Sequence, residues 1–261
     1  MKIRLDKALV ERGLAGSRER AQALILAGRV LVAEQRVDKP GTTVEEGATL
    51  RVIGEDLKYV SRGGLKLERA IEYWEISLKG RACVDIGAST GGFTDCMLQH
   101  GAASVLAVDT GYGQIAHSLR VDPRVTLRER CNARLLGAGE LVDTQADQQT
   151  GVISLLAMDV SFISATLVLP AVLPALVREG EVWRGEAVVL IKPQFEAGRE
   201  HVGKGGIVRE QAAREIAIER VKACVAELDA TGIEVIESPI HGREGNWEYL
   251  LHAWFGKEVK T

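Results

Sequence analysis

From Tyr59 onward the chain alternates short aliphatic runs with stretches of helical period, and that rhythm restricts the fold more than any other feature. The runs are RACVDIGA, ASVLAVDTG, VTLRERCNA, VISLLAMDVS, EAVVLIKPQF and GIEVIESPI. Strands separated by helices build a mostly parallel sheet with helices on both faces, an α/β domain. Ligands of such sheets sit beyond the carboxyl ends of the strands, near the point where strand order reverses. Functional residues are therefore sought where these runs end.

Residues 1–54 read as a small α+β module, 55–60 as a linker and 61–261 as the main domain. Leu5, Ala8 and Leu9 give one face of a short helix that ends near Gly13. Ser17 suits the N-cap of a second helix, with Ala21, Leu24 and Ile25 inward and Gly28 as its stop. RVLV and TLRVI, separated by a polar turn and a Pro-Gly turn at 40–41, read as short strands. Two helices and a small sheet bury little core alone, which suits a docking module. Residues 1–60 carry eleven Lys/Arg against nine Asp/Glu, and the remainder 22 against 27. A mildly basic head on an acidic body fits an RNA-binding appendage.

Several classes are disfavoured. Hydrophobic residues make up 46% of the chain, which is globular rather than disordered composition. Cys83, Cys96, Cys131 and Cys224 form no C-x-x-C pair and no secretory signal is evident, so a reduced cytoplasmic setting is expected. The five histidines lack metal-ligand spacing, and no metal is expected. The apolar stretch LVLPAVLPALV at 167–177 contains Pro170 and Pro174 and is short of the ~20 residues a bilayer requires, so no membrane partner is expected. A monomer is the default.

The first run of the main domain leads into VDIGASTGGFTD. Asp85 closes the strand, and Gly87, Gly91 and Gly92 make a tight turn, with Ser89 and Phe93, into the next helix. The turn lacks the nicotinamide fingerprint, because Ser89 stands in place of its second glycine, and no GK[ST] marks a phosphate loop. An acidic residue before the turn suits a ligand with ammonium and sulfonium charges. Asp109, twenty-two residues past Gly87, ends the next strand, where it can accept hydrogen bonds from ribose hydroxyls. Asn132 follows the third strand, placed to read an adenine edge. This succession resembles class I (Rossmann-like) methyltransferases, and it implies S-adenosylmethionine as methyl donor.

Methyl transfer from a sulfonium to oxygen needs alignment and an activated nucleophile. A ribose hydroxyl is weakly acidic, and a buried lysine serving as its general base is worth ~10²–10⁴-fold. Strand ends supply Asp159 (AMDVSF) and Lys192 (LIKPQF), REGNWEYLL supplies Glu248, and YVSRGGLKLERAIEYW offers Lys66, although that helix could also turn it to solvent. Amine methylases place Pro-Pro-aromatic after strand four, whereas this chain has DVSFIS. No proline precedes a cysteine, as the carbon-5 cytosine methylases would require.

Four such residues in this order resemble the Lys-Asp-Lys-Glu tetrad of the FtsJ/RrmJ-like ribose 2′-O-methyltransferases. The resemblance implies Lys192 as base, Asp159 and Glu248 as its tuning and orienting groups, and Lys66 as the residue that positions the hydroxyl. The run SRERAQALILAGRVLVAEQRV resembles the alpha-L RNA-binding motif of S-four type, implying an RNA-facing surface with Arg18, Arg20 and Arg29. Together with VSRGGLKL, DIGASTGGFTD, DTGYGQ, DVSFIS and KPQFEAG, the chain resembles the TlyA family over nearly its whole length. That resemblance implies methylation of cytidine ribose in ribosomal RNA, with the RNA or a ribosomal subunit as partner. It also implies a part in sensitivity to ribosome-binding peptide antibiotics. The first helix begins almost at the N-terminus, which leans toward the large subunit alone. Arg62, Arg199 and Lys204 extend the expected RNA contacts, the last two in a glycine-rich loop, 197–210, expected to close beside Lys192. Two other readings stand beside this one. A hemolysin, as some family members are labelled, would need membrane strands or an apolar helix, and an inactive RNA-binding protein would have lost tetrad or cofactor residues.

Overall fold

In a computed structural model the described residues are 2–26, 28–53, 58–142, 152–242 and 245–256. The chain divides into two compact units, Met1–Leu57 and Lys58–Thr261. Residues 55–57 of the expected linker lie outside the described residues.

In the first unit, β1 (Lys2–Arg4) leads into α1 (Leu5–Glu11), and α2 (Arg18–Leu26) follows. The Ser17 hydroxyl accepts the Arg20 amide at 3.2 Å, the expected cap, and Ala21, Leu24 and Ile25 turn inward. They close on Leu5, Ala8 and Leu9 in one aliphatic core. Five three-residue strands stand where the sequence suggests two. β2 (Val30–Val32) lies between β3 (Gln35–Val37) and β5 (Leu50–Val52), and β1 pairs with β4 (Thr43–Glu45). Runs this short cannot display a two-residue period. The β2–β3 turn is also disguised, because Ala33 and Glu34 both take positive φ (48° and 63°) where Asn-Gly is the usual signal.

The second unit is a seven-stranded sheet in the order β11-β12-β10-β9-β6-β7-β8. Its elements run α3 (Gly63–Tyr73), β6 (Ala82–Ile86), α4 (Gly92–Gln99), β7 (Ser104–Val108), α5 (His117–Arg120), β8 (Val125–Arg128), β9 (Ile153–Met158), α6 (Leu169–Ala175), β10 (Gly185–Ile191), α7 (Pro193–Glu196), α8 (Gln211–Glu227), β11 (Ala230–Glu237) and β12 (Tyr249–Phe255). Strands β6 to β10 are mutually parallel, and β12 runs antiparallel to both β10 and β11. Strand β12 is a correction to the expectation from sequence, which has six strands and treats this segment only as the source of Glu248.

Alternation along each strand loads both faces. Val84, Ile86, Leu156 and Val189 pack with α6 and α8, while Cys83, Val105, Leu155 and Val188 pack with α3 and α4. Strand order reverses between β6 and β9, so the carboxyl ends of β6, β7, β9 and β10 converge on one region.

Candidate active site

A cleft of about 820 Å³ opens at those strand ends. Its floor is the turn after β6. Gly87 takes φ +88°, and a β-carbon there would lie 2.5 Å from the carbonyl oxygen of Asp159, so only glycine lets the two strand ends approach this closely. A β-carbon on Gly91 would meet Leu119 at 2.3 Å, and one on Gly92 would lie 2.9 Å from the Gly64 amide nitrogen. Ser89 itself sits at φ 49°, and Phe93 is buried beneath the turn. Close packing of Gly92 on the start of α3 brings Arg62 and Lys66 to the cleft.

Asp85 is fully buried. One carboxylate oxygen accepts the Thr94 amide at 2.9 Å and the Thr94 hydroxyl at 2.6 Å, and the other has no hydrogen-bond partner among the described residues. Burial, with added repulsion from Asp159 and Asp109, pushes this carboxyl up to about 7 against the bonds from Thr94. Asp109 is held by the Ser89 amide at 2.8 Å and the Gly111 amide at 2.6 Å, one on each oxygen, which leaves each a further lone pair. Asn132 lines the cleft, with its side-chain oxygen accepting the Arg134 amide at 3.2 Å. This donor set fits S-adenosylmethionine: an unpartnered carboxylate oxygen suits an ammonium, and a braced carboxylate suits a ribose diol.

Two ion pairs also line the cleft. Lys192 Nζ lies 2.5 Å from Asp159 Oδ1 and donates an aligned hydrogen bond to Ser161 Oγ at 2.6 Å. Lys66 Nζ donates to Glu248 Oε2 at 2.5 Å. Lys66 is 9% exposed and Lys192 8%, so α3 turns Lys66 inward rather than to solvent. All four line the cleft. Buried charges of this kind persist only when paired.

Some participants escaped the sequence. Ser161 lies two residues beyond Asp159 and gives Lys192 its aligned bond. Glu196 is buried, and its carboxylate accepts the Ser164 hydroxyl at 2.5 Å and the Ala165 amide at 2.7 Å, tying α7 to the segment after β9. Across the same joint the Phe162 and Phe195 rings lie 5.6 Å apart, with Phe162 89% exposed. Cys131 also lines the cleft, where burial pushes its thiol up, away from a nucleophilic role.

The expected RNA contacts divide between the units. In the second, Arg62, Arg199 and Lys204 are exposed. In the first, Arg18 is half exposed, Arg20 is partly buried, and Arg29 donates to the Ile53 carbonyl at 3.0 Å. Asp6, unremarked in the sequence, is wholly buried and takes bonds from Arg4 at 2.9 Å, Arg18 at 3.2 Å and Gln22 at 2.9 Å. The Arg4 bond foremost, with those of Gln22 and Arg18, holds its carboxyl well below the usual range against the cost of burial.

Comparison with known proteins shows the family. The FtsJ-like methyltransferase family matches residues 59–255, and the S4 domain matches residues 3–50. The chain is 47% identical over 98% of its length to YqxC of Bacillus subtilis, described provisionally as an rRNA methyltransferase, and covers 87% of that protein. It is 42% identical over 96% of its length to TlyA of Mycobacterium tuberculosis, named a 16S/23S rRNA (cytidine-2′-O)-methyltransferase, and covers 89% of it. A solved structure from Streptococcus thermophilus, described provisionally as a hemolysin, superposes with a TM-score of 0.71 at 43% identity, covering 97% of this chain and 88% of that one. The chain belongs to the FtsJ-like methyltransferase family, in the branch that carries an N-terminal S4 domain.

Proposed function

We propose that this protein transfers the methyl group of S-adenosylmethionine to the 2′-hydroxyl of a cytidine in ribosomal RNA. The observation that carries the reading is the pairing of Lys192 with Asp159 and of Lys66 with Glu248 in one cleft with the glycine turn. S-adenosylmethionine supplies an electrophilic methyl on a sulfonium.

The residues of the chain do the rest. Asp85 would hold the ligand's ammonium, Asp109 its ribose hydroxyls and Asn132 its adenine edge, with Gly87, Ser89, Gly91, Gly92 and Phe93 shaping the floor. Lys192 first gives up its own ammonium proton to solvent, and the neutral amine then accepts the proton of the attacking 2′-hydroxyl. Asp159 and Ser161 aim its Nζ, and Lys66, held by Glu248, positions the hydroxyl for in-line attack. Arg18, Arg20, Arg29, Arg62, Arg199 and Lys204 bind RNA phosphates. The machinery is complete within one chain, which acts as a monomer in the cytoplasm, where its RNA substrate is found.

The names of the relatives support cytidine as the target. The test is digestion of ribosomal RNA after incubation with enzyme and labelled S-adenosylmethionine. Label in 2′-O-methylcytidine is expected, whereas label confined to a methylated base would overturn the assignment.

A further inference from the structure

Asn246 is almost completely buried, yet its side chain bonds to a loop some forty residues away in sequence. Its Oδ1 accepts the Val208 amide at 3.0 Å, and its Nδ2 donates to the Gly206 carbonyl at 2.8 Å. That loop turns on itself, with Gly206 bonding back to Gly203 at 3.1 Å and Gly203 to Ile207 at 3.0 Å, and Gly205 and Gly206 line the cleft. On its other side, the Asn246 carbonyl accepts the Gly242 amide at 2.8 Å. Gly242 lies against the Glu248 carboxylate: a β-carbon there would fall 2.2 Å from Glu248 Oε1. Glu248 in turn holds Lys66.

The geometry points to Asn246 as a positioning residue that latches the glycine loop 203–208 to the arm carrying Glu248. One buried amide thereby sets the wall of the cleft beside Lys204 and the carboxylate that orients Lys66. A primary amide suits this task because it donates and accepts from one planar group, matching a carbonyl and an N–H of the same loop. Glycines would otherwise leave the segment free to sample many conformations. The inference rests on the reading of the cleft as a ribose methylation site, whose lining includes Asn246, and adds to it a residue that acts through Glu248 and the glycine loop.

Hydrogen exchange and steady-state kinetics on the full chain test it. In Asn246→Ala the Val208 amide exchanges faster, RNA KM rises, and kcat/KM falls about 10–100-fold while the S-adenosylmethionine Kd is unchanged. Asn246→Asp keeps an acceptor for Val208 but sets a carboxylate against the Gly206 carbonyl in place of a donor, so it retains Val208 protection while kcat/KM falls below wild type. A merely structural residue would lower Tm and leave kcat/KM intact in the folded variant, and that result overturns the proposal. Lost turnover with unchanged exchange across 203–208 overturns it as well. Should Asn246→Ala fail to fold, wild-type kcat/KM in Asn246→Asp overturns it. Failure of the methylation reading would show instead as wild-type enzyme that transfers no methyl, whereas exchange at Val208 reports the latch without substrate.

Discussion

Lys66 and Glu248, 182 positions apart in sequence, meet at 2.5 Å with both side chains buried. The contact fastens α3 to the start of β12, and so couples the helix before the first strand of the sheet to its single reversed strand. Removing one partner leaves a buried charge uncompensated. Glu248→Ala or Lys66→Ala should therefore each cost about 3–5 kcal/mol of stability, and the double replacement less than the sum. Denaturant titration of the two single variants and the double variant measures this. Strict additivity would mean that the pair does not interact in solution.

Gly87→Ala should harm cofactor binding and stability together. The added β-carbon falls 2.5 Å from the Asp159 carbonyl oxygen, and φ +88° strains any side chain. A loss of roughly 1–3 kcal/mol in stability is expected, with S-adenosylmethionine affinity reduced in calorimetric titration. Gly180, where φ is also positive but a β-carbon would meet nothing within 4 Å, provides the control for strain alone.

Asp85 gives the protein a pH signature. The unfolded chain releases this proton near the ordinary 3.8, while the folded chain keeps it up to about 7. The folded state then binds more protons across that interval, so this group's contribution to stability is greatest below about pH 4, falls as pH rises, and levels above about pH 7. Denaturation midpoints across this range should show the decline in wild type and a flatter profile in Asp85→Asn. An ammonium ligand favours the carboxylate, so S-adenosylmethionine binding slightly below neutrality should release a proton. Binding heats compared in two buffers of different ionisation enthalpy read that release.

The arginines and lysines should show themselves through salt. Removing a cation that neutralises one RNA phosphate lowers the slope of log affinity against log salt by about 0.7–0.9. Arg18→Ala and Lys204→Ala, measured by RNA binding at several salt concentrations, should each reduce the slope by about that amount. An unchanged slope would remove the residue from the RNA interface.

Much of the site was legible because strand ends carry chemistry in this fold class. The turn at Gly87 and the residues Asp159 and Lys192 could be placed from the aliphatic runs that precede them. What was hidden depends on contacts remote in sequence. β12 contains His252 and Trp254 and does not look like a sheet strand until its pairing with β10 and β11 is seen. Asp6 reads as an ordinary charge on an amphipathic helix, yet it is buried beneath Arg4 and Arg18. Asn246 bonds to backbone groups of a distant loop, and Glu196 to a hydroxyl and an amide some thirty residues away, and no local pattern marks such partners. The expectation that Glu248 orients Lys192 is corrected by the structure: Glu248 pairs with Lys66, while Asp159 meets Lys192, because α3 turns Lys66 inward onto the start of β12.

The most direct test compares wild type with Lys192→Ala in the transfer of labelled methyl from S-adenosylmethionine to unmethylated ribosomal subunits, with cofactor affinity measured alongside. The account predicts label at a cytidine 2′-oxygen in wild type, and a loss of about 10²–10⁴-fold in the variant at similar cofactor affinity. Equal labelling by both proteins would contradict Lys192 as the base, and no labelling by wild type, despite cofactor binding, would contradict ribosomal RNA as the methyl acceptor.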